Sequence, residues 1–243
     1  MQRPGPRAPA AKGTGQAMRF LVPIGGVTEG VFGVITAPNH KGVPAGIRAG
    51  LPWAADVGCI EGPDFVKRAN LAAVMDWLKN CMMPYKESCL FIAGFDIVGD
   101  SVGSLESFEE FSRYFISGGW PWAYVAQNGA EDLPIPSEAA AVFIGGVPME
   151  DRDYSTARHY GGQYRQMEWK ESPEAVTVIK RAQQMGKHIH IGRVNWKRRY
   201  ELFNVLEGSE HFTCDGTRTR YDGSKKAINA WRAYEAQRPL ITI

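Results

Sequence analysis

Short apolar runs rich in β-branched and aromatic residues alternate along this chain with longer stretches whose apolar positions recur at helical spacing. Runs of the first kind cover Arg19 to Pro23, Val31 to Thr36, Trp53 to Cys59, Cys89 to Asp96, Trp122 to Gly129, Ala141 to Val147, His188 to Val194 and His211 to Thr217, which makes eight predicted strands. Between them, Leu71, Val74, Leu78 and Cys81 fall on one helical face, as do Leu105, Phe108, Phe111 and Phe115, and again Trp196, Tyr200, Phe203 and Leu206. Each such face needs a sheet to pack on. Ser172 followed by Pro173 predicts an N-cap and a first helical residue, with Gly186 as the stop before the strand at His188. Eight alternating units of this kind predict the α/β class, a compact TIM-type (β/α)8 barrel.

Length agrees with that fold. The 243 residues are 44% hydrophobic and 22% charged, enough for one sizeable core and within the range that α/β barrels occupy as single domains. Residues 1–17 are rich in Pro, Gly and Ala, lack the apolar stretch of a signal peptide, and predict a disordered tail. The barrel is then expected over 18–243, with an insertion or lid around 148–170, where a long polar and aromatic stretch interrupts the alternation. No residue-level repeat is visible. No apolar run approaches the ~18 residues of a membrane span, and Cys59, Cys81, Cys89 and Cys214 are scattered without a CxxC pair. A cytoplasmic location with reduced thiols and no membrane partner is expected. The net charge of +2 leaves the partner open, so a polyanion site has to come from local clusters of Lys and Arg.

Barrel enzymes assemble their sites at the C-terminal ends of the strands. Those ends read WAADVGC, FIAGFDIVGD, YVAQNG, VFIGGV, HIGRVN and FTCDGT. Loops favour Asp, Asn and Gly for turning the chain, and a single helix N-cap explains one such residue, Asp100 above all. Several in succession on one face point instead to a polar pocket lined by carboxylates.

In order along the chain, roughly from Val31 to Arg220, this series resembles the DNA 7-deazaguanine transglycosylases of phages and bacteria, relatives of queuine tRNA-guanine transglycosylase. The resemblance implies an acid/base role for Asp56, with Gly58 in the same segment. It also implies a base-reading role for Asp96, with base contacts from Gln127 and Gly129 and from the pair Gly145 and Gly146. Asp215, within CDGTRTR, matches the nucleophile. A tight turn is the competing explanation for the glycine pair. The first motif lacks the Ser and the paired Gly of the tRNA enzymes.

Removing a purine from a sugar needs a group that captures C1′ and an acid that protonates the leaving base, the two-carboxylate logic of retaining glycosidases. Asp215 then attacks C1′ to give a covalent sugar–enzyme intermediate while Asp56 moves the proton. Asp96 accepts hydrogen bonds from the ring N–H and exocyclic amine of guanine or a 7-deazaguanine such as preQ0, and rejects bases without those donors. The glycines at 145 and 146 let the backbone approach a flat base.

A base inside a duplex is out of reach of a barrel mouth, so the DNA substrate is expected flipped or single-stranded. Backbone contacts are expected from Arg193, Asn195, Lys197, Arg198 and Arg199 and from Arg218 and Arg220, with Lys225 and Lys226 at least as well explained as a solvated face. Trp169, Tyr160 and Tyr164 either stack on displaced bases or form the insertion's own small core.

The tRNA enzymes of this resemblance carry a Cys-x-Cys-x-x-Cys plus His zinc site after the catalytic strand, and nothing of that kind follows Asp215. The barrel is therefore expected without the zinc subdomain, with no metal and no cofactor, and DNA is favoured over tRNA. His188 with His190, and His211 near Cys214, lack a fourth ligand and are taken as ordinary strand residues. The resemblance admits a homodimer, although no residue pattern demands one. The same fold acting on tRNA and a catalytically silent nucleic-acid-binding homologue stay open as alternatives.

Overall fold

The computed structural model describes residues 18–24, 31–38, 42–58, 64–147, 159–160, 163–164, 168–194, 202–203, 206, 208 and 211–216. Eight parallel strands close into a barrel: β1 (Arg19–Pro23), β2 (Gly33–Thr36), β3 (Trp53–Asp56), β4 (Cys89–Ala93), β5 (Trp122–Ala126), β6 (Ala141–Ile144), β9 (His188–Ile191) and β10 (Thr213–Cys214). They are joined in the order β1-β10-β9-β6-β5-β4-β3-β2, with β2 returning to β1. A separate antiparallel ribbon pairs β7 (His159–Tyr160) with β8 (Gln163–Tyr164). Each of the eight expected strands is present, shorter at its C-terminal end than the apolar run in most cases, because the last polar residues belong to the mouth.

Alternation along the strands divides the apolar residues into two cores. Leu21, Ile35, Ala54, Phe91, Ala93, Ala123, Val125 and Ala141 fill the barrel, with Phe32, Leu90 and Phe143 against them. Their strand neighbours, among them Val34, Trp53, Ile92, Trp122, Tyr124, Val142, Ile189 and Ile191, face outward under the helices. Here α2 (Asp64–Trp77) runs on through a π turn at Leu78–Met82 into a 3₁₀ stretch at Met83–Ser88. The expected inward face is observed there in Val74 and Leu78, both buried.

The next helix, α3 (Ser101–Ile116), starts where Asp100 accepts the Gly103 N–H at 3.0 Å, so that residue is the N-cap its position suggests. Its Phe108, Phe111 and Phe115 are buried, and Phe115 stacks on Trp122 of β5 at 3.7 Å between ring centroids. Truncating such a side chain costs about 3–5 kcal/mol. The short α1 (Ala45–Arg48) follows β2, and α4 (Pro173–Gln184) is capped by Ser172 with Pro173 at its first position, as expected. Between β5 and β6 the chain makes only a 3₁₀ turn, Ala130–Asp132. The insertion after β6 leaves and returns at one point, where the Trp169 N–H donates to the Val147 carbonyl at 3.1 Å. Val147 and Trp169, the described residues on either side of it, both lie at the C-terminal face of the barrel.

Candidate active site at the barrel mouth

Every carboxylate singled out in the sequence lies at the C-terminal end of the barrel. Asp56 is the last residue of β3, Asp96 follows β4, and Asp215 follows β10. Asp56 and Asp215 interact electrostatically across the mouth although β1 and β2 separate their strands.

The chain around Asp215 is built to hold it as an anion. Its Oδ1 accepts the Arg193 backbone N–H at 2.7 Å and faces Nε2 of His190 at 3.3 Å. Arg193 is the one non-glycine residue with positive φ among the described residues, at 57°. That conformation is uncommon for a residue with a Cβ and concentrates at functional sites; here it aims the N–H at the carboxylate. The same turn is fastened by Val194 N–H donating to the Asp215 carbonyl at 2.6 Å. Lys170, buried inside the protein, donates from Nζ to the Gly192 carbonyl at 2.8 Å and pairs with Glu168 at 3.6 Å. Desolvation pushes the Asp215 pKa up, but the hydrogen bond and charge of His190, the Arg193 N–H and the Lys170 charge outweigh it, and the net direction is down.

Asp56 moves the other way. Its side chain is open to solvent at the mouth, yet the surrounding protein displaces enough water for desolvation to raise its pKa. The negative charge of Asp215 adds to that rise, whereas the Gly58 N–H on Oδ1 at 3.0 Å and the charges of His190 and Arg193 only partly oppose it. Gly58 sits at φ +83° with open space where a Cβ would be, closing a tight turn on Asp56. The mouth thus holds one carboxyl whose proton affinity is raised and one whose proton affinity is lowered.

Asp96 is nearly buried, and its Oδ2 accepts Nε2 of Gln127 at 2.6 Å. Gln127, expected to contact a base, is engaged by partners within the protein. Its Oε1 accepts the N–H of Gly99 at 3.1 Å and of Gly146 at 2.9 Å, so this buried amide ties together the ends of β4, β5 and β6 and orients Asp96. The glycine pair also has internal reasons. A Cβ on Gly145 would lie 2.6 Å from Gln127 Nε2, and one on Gly146, at φ +96°, would lie 2.9 Å from the Trp169 ring. Close packing against Gln127 and Trp169 gives each position a reason within the protein, and only Gly146 also has the left-handed backbone of a turn. Gly129, at φ +92° beside Ser101, is a turn residue at the start of the 3₁₀ segment.

Trp169 is buried in the large core outside the strands and donates to Glu131 at 3.0 Å, so it joins the barrel's own packing and not a separate small core of the insertion. Tyr160 and Tyr164 form the paired ribbon through their backbones. Asn195, Lys197, Arg198, Arg199, Arg218, Arg220, Lys225 and Lys226 lie outside the described residues.

Thr213 and Lys170 are not among the residues the sequence singles out, and His188 and His190, taken there as ordinary strand residues, prove to be tied to the site. His188 and His190 on β9 and Thr213 on β10 alternate with Ile189, Ile191 and Cys214 and so face the barrel interior, on the same side as Asp215. The Thr213 hydroxyl lies 2.8 Å from His188 Nε2 and 2.9 Å from His190 Nδ1. Phe91 and Phe143 pack on the His190 ring at 4.9 and 4.6 Å. Desolvation, helped by His190 and Arg19, lowers the His188 pKa to about 4. The available signal was the period-2 spacing of HIHI and of Thr213 with Asp215. Among the described residues no cluster of His, Cys, Asp or Glu is arranged to hold a metal ion, and no helix is long and apolar enough to cross a membrane.

Comparison with known proteins adds little. No protein-family model matches the chain, and no curated protein does. Among solved structures, the chain is similar to an HpcH/HpaI aldolase from Desulfitobacterium hafniense DCB-2, at 10% identity over 94% of this chain and 96% of that one, with a TM-score of 0.46. It is also similar to oxaloacetate acetylhydrolase in complex with the product oxalate (8% identity, 95% and 85% covered, TM-score 0.44) and to 2,3-dimethylmalate lyase, a PEP mutase/isocitrate lyase superfamily member (8%, 94% and 87%, 0.39).

Proposed function

We propose that this chain is an enzyme, a pentosyltransferase that exchanges guanine in DNA for a 7-deazaguanine through a covalent aspartyl–sugar intermediate. The observation that carries the reading is the pair Asp56 and Asp215, neighbours at one barrel mouth whose proton affinities are displaced in opposite directions. Two titratable groups pushed apart in this way are suited to act as acid and nucleophile in one reaction.

In the first half-reaction an Asp215 carboxylate oxygen attacks C1′ as the bond from C1′ to N9 of guanine breaks, and Asp56 gives its proton to the departing base. In the second, N9 of the incoming 7-deazaguanine attacks C1′, the ester bond to Asp215 breaks, and the N9 proton returns to Asp56. Both residues end as they began. Asp96, oriented by Gln127, is the acceptor for the donor edge of the base, since a carboxylate has about four acceptor sites. The DNA substrate and the deazapurine co-substrate are drawn from the resemblance of the strand-end motifs.

The test is mass spectrometry of nucleosides from single-stranded DNA, duplex DNA and tRNA, each incubated with the protein and preQ0. A new deazaguanosine in DNA supports the reading. Exchange confined to tRNA transfers the activity to the RNA substrate, and binding of DNA with no exchange of any base identifies a silent homologue.

A further inference from the structure

Running up the inside of the barrel from His188 to the mouth, four side chains are linked end to end: His188 Nε2 to Thr213 Oγ1 at 2.8 Å, Thr213 Oγ1 to His190 Nδ1 at 2.9 Å, and His190 Nε2 to Asp215 Oδ1 at 3.3 Å. The arrangement is constrained by the hydrogens available. A hydroxyl has one proton to donate, an imidazole that is neutral has one N–H, and a carboxylate has none. Because Asp215 only accepts, His190 must carry a proton on Nε2. When His190 is neutral, its Nδ1 accepts from Thr213, and Thr213 in turn accepts from the Nε2–H of His188. When His190 is cationic, its Nδ1–H donates to Thr213, the hydroxyl reverses, and His188 must present a bare Nε2 and carry its proton on Nδ1.

We infer that His188, Thr213 and His190 form a positioning chain for Asp215, in which the hydroxyl of Thr213 couples the protonation of His190 to the tautomer of His188, and which reserves Oδ2 of Asp215 as the attacking oxygen. The last part follows from the donors: His190 and the Arg193 N–H both engage Oδ1, and among the described residues Oδ2 accepts no hydrogen bond. In the covalent intermediate Oδ1 is then the carbonyl oxygen of the ester. Its two donors draw charge from that carbonyl and stabilise the carboxylate when the C1′–Oδ2 bond breaks. Thr213 lets His190 gain a proton without leaving an N–H unpaired inside the barrel, where Phe91 and Phe143 offer no acceptor. The attacking role of Oδ2 rests on the proposed glycosyl transfer, whereas the coupling along the chain does not.

The groups that set the charge of this line come from several elements. Asp215 is faced by His190 and Arg193, by Lys170 from the segment before α4, and by Asp56 of β3. His188 is faced by His190 and by Arg19 of β1. Thr213→Val keeps the shape and removes the hydroxyl, and Thr213→Ser restores it.

Carboxyl ¹³C and imidazole ¹⁵N spectra of the full chain, followed across pH, test the coupling without any substrate. The expected result is that the His188 ring nitrogens change tautomer in step with protonation of the His190–Asp215 pair. Asp215 should titrate higher in Thr213→Val, because His190 then holds its proton less readily beside it, and return in Thr213→Ser. An Asp215 titration that overlays the unmodified one in Thr213→Val, or a His188 tautomer indifferent to that of its neighbours, overturns the chain. Should the Val variant not fold, the His188 spectra of the unmodified protein decide alone. In the exchange assay the low-pH limb of kcat/KM should move with the Asp215 titration in Thr213→Val, with KM unchanged. Coupled spectra without base exchange in the unmodified protein would reject the proposed reaction while leaving the chain standing.

Discussion

Gln127→Glu replaces one atom group by another of the same shape at the point where β4, β5 and β6 are tied together. The oxygen facing Gly99 and Gly146 still accepts both N–H groups, but the other position now sets a carboxylate oxygen at the 2.6 Å now separating Nε2 from Asp96 Oδ2. Two full charges that close repel by about 6 kcal/mol at an effective dielectric of 20. The alternative is to keep one proton shared between the two carboxyls. A glutamate ionises near pH 4.3 in the unfolded chain, so holding a proton in the folded state at pH 7 costs about 3.7 kcal/mol at roughly 1.4 per pH unit. The smaller cost prevails, and the variant should fold with a proton bridging the pair.

The sign follows from the raised folded pKa. Full stability is kept below about pH 4.3 and is lost as pH rises toward that raised value. Urea denaturation of both proteins between about pH 4 and 8 measures the difference. It should be small at the acid end and grow by about 1.4 kcal/mol per unit toward neutrality. A difference independent of pH would show that Asp96 and Gln127 are not in contact, and with it the account of how Asp96 is oriented would fail.

The remaining predictions concern the mouth itself. Asp215→Asn should abolish base exchange with the protein folded and still binding DNA; undiminished exchange would reject the nucleophile. Because the reaction as proposed needs Asp215 ionised and Asp56 protonated, kcat/KM should fall on the acid side at a pH below the ordinary carboxylate range and on the alkaline side above it. Asp56→Asn should slow the reaction and remove the alkaline limb, and a limb that survives assigns it to another group. Gly146→Ala should cost on the order of 1–3 kcal/mol, from a left-handed backbone that alanine resists and from contact with the buried Trp169. A thermal or urea midpoint equal to that of the unmodified protein would remove Trp169 as the reason for this glycine.

The barrel was legible because its strands obey a rule with period 2 and its helices one with period 3.6, and both leave apolar marks. Trp122, Tyr124 and Ala126 face outward under α3 and α4 while Ala123 and Val125 face in, and that division can be read from the sequence once the segment is known to be a strand. The carboxylates were legible for a related reason, since a barrel places its strand ends on one face. What could not be read is direction within the mouth. Gln127 and Asp96 are 31 positions apart, and nothing local reveals that the amide points at the carboxylate and not at a ligand. Gly145 and Gly146 looked like a platform for a flat base, because the need for a missing side chain is visible but the object that fills the space is not. Here it is Gln127 and Trp169. Lys170 was missed because a lysine among polar residues reads as surface, and its burial depends on a carbonyl, that of Gly192, supplied by the turn after β9.

The difference between Asp56 and Asp215 follows from where each strand stops. β3 ends on Asp56 itself, so among the described residues its backbone donor is the one two residues on, in its own turn, and the neighbouring charge that raises its proton affinity is another carboxylate. Asp215 follows β10, a strand only two residues long, and lies beside the turn after β9, whose positive φ at Arg193 points an N–H toward it. One residue is thus served from within its own loop and the other from a second strand, which also brings His190. A charged hydrogen-bond acceptor gains roughly 1.5–3 kcal/mol from each good donor, and at Asp215 the bond and charge of His190, the Arg193 N–H and the Lys170 charge together outweigh burial and reverse the direction of the shift. Identical side chains at strand ends of one barrel are therefore shifted in opposite directions by what each strand end brings within reach: His190, the Arg193 N–H and the Lys170 charge for Asp215, against burial and a facing carboxylate for Asp56.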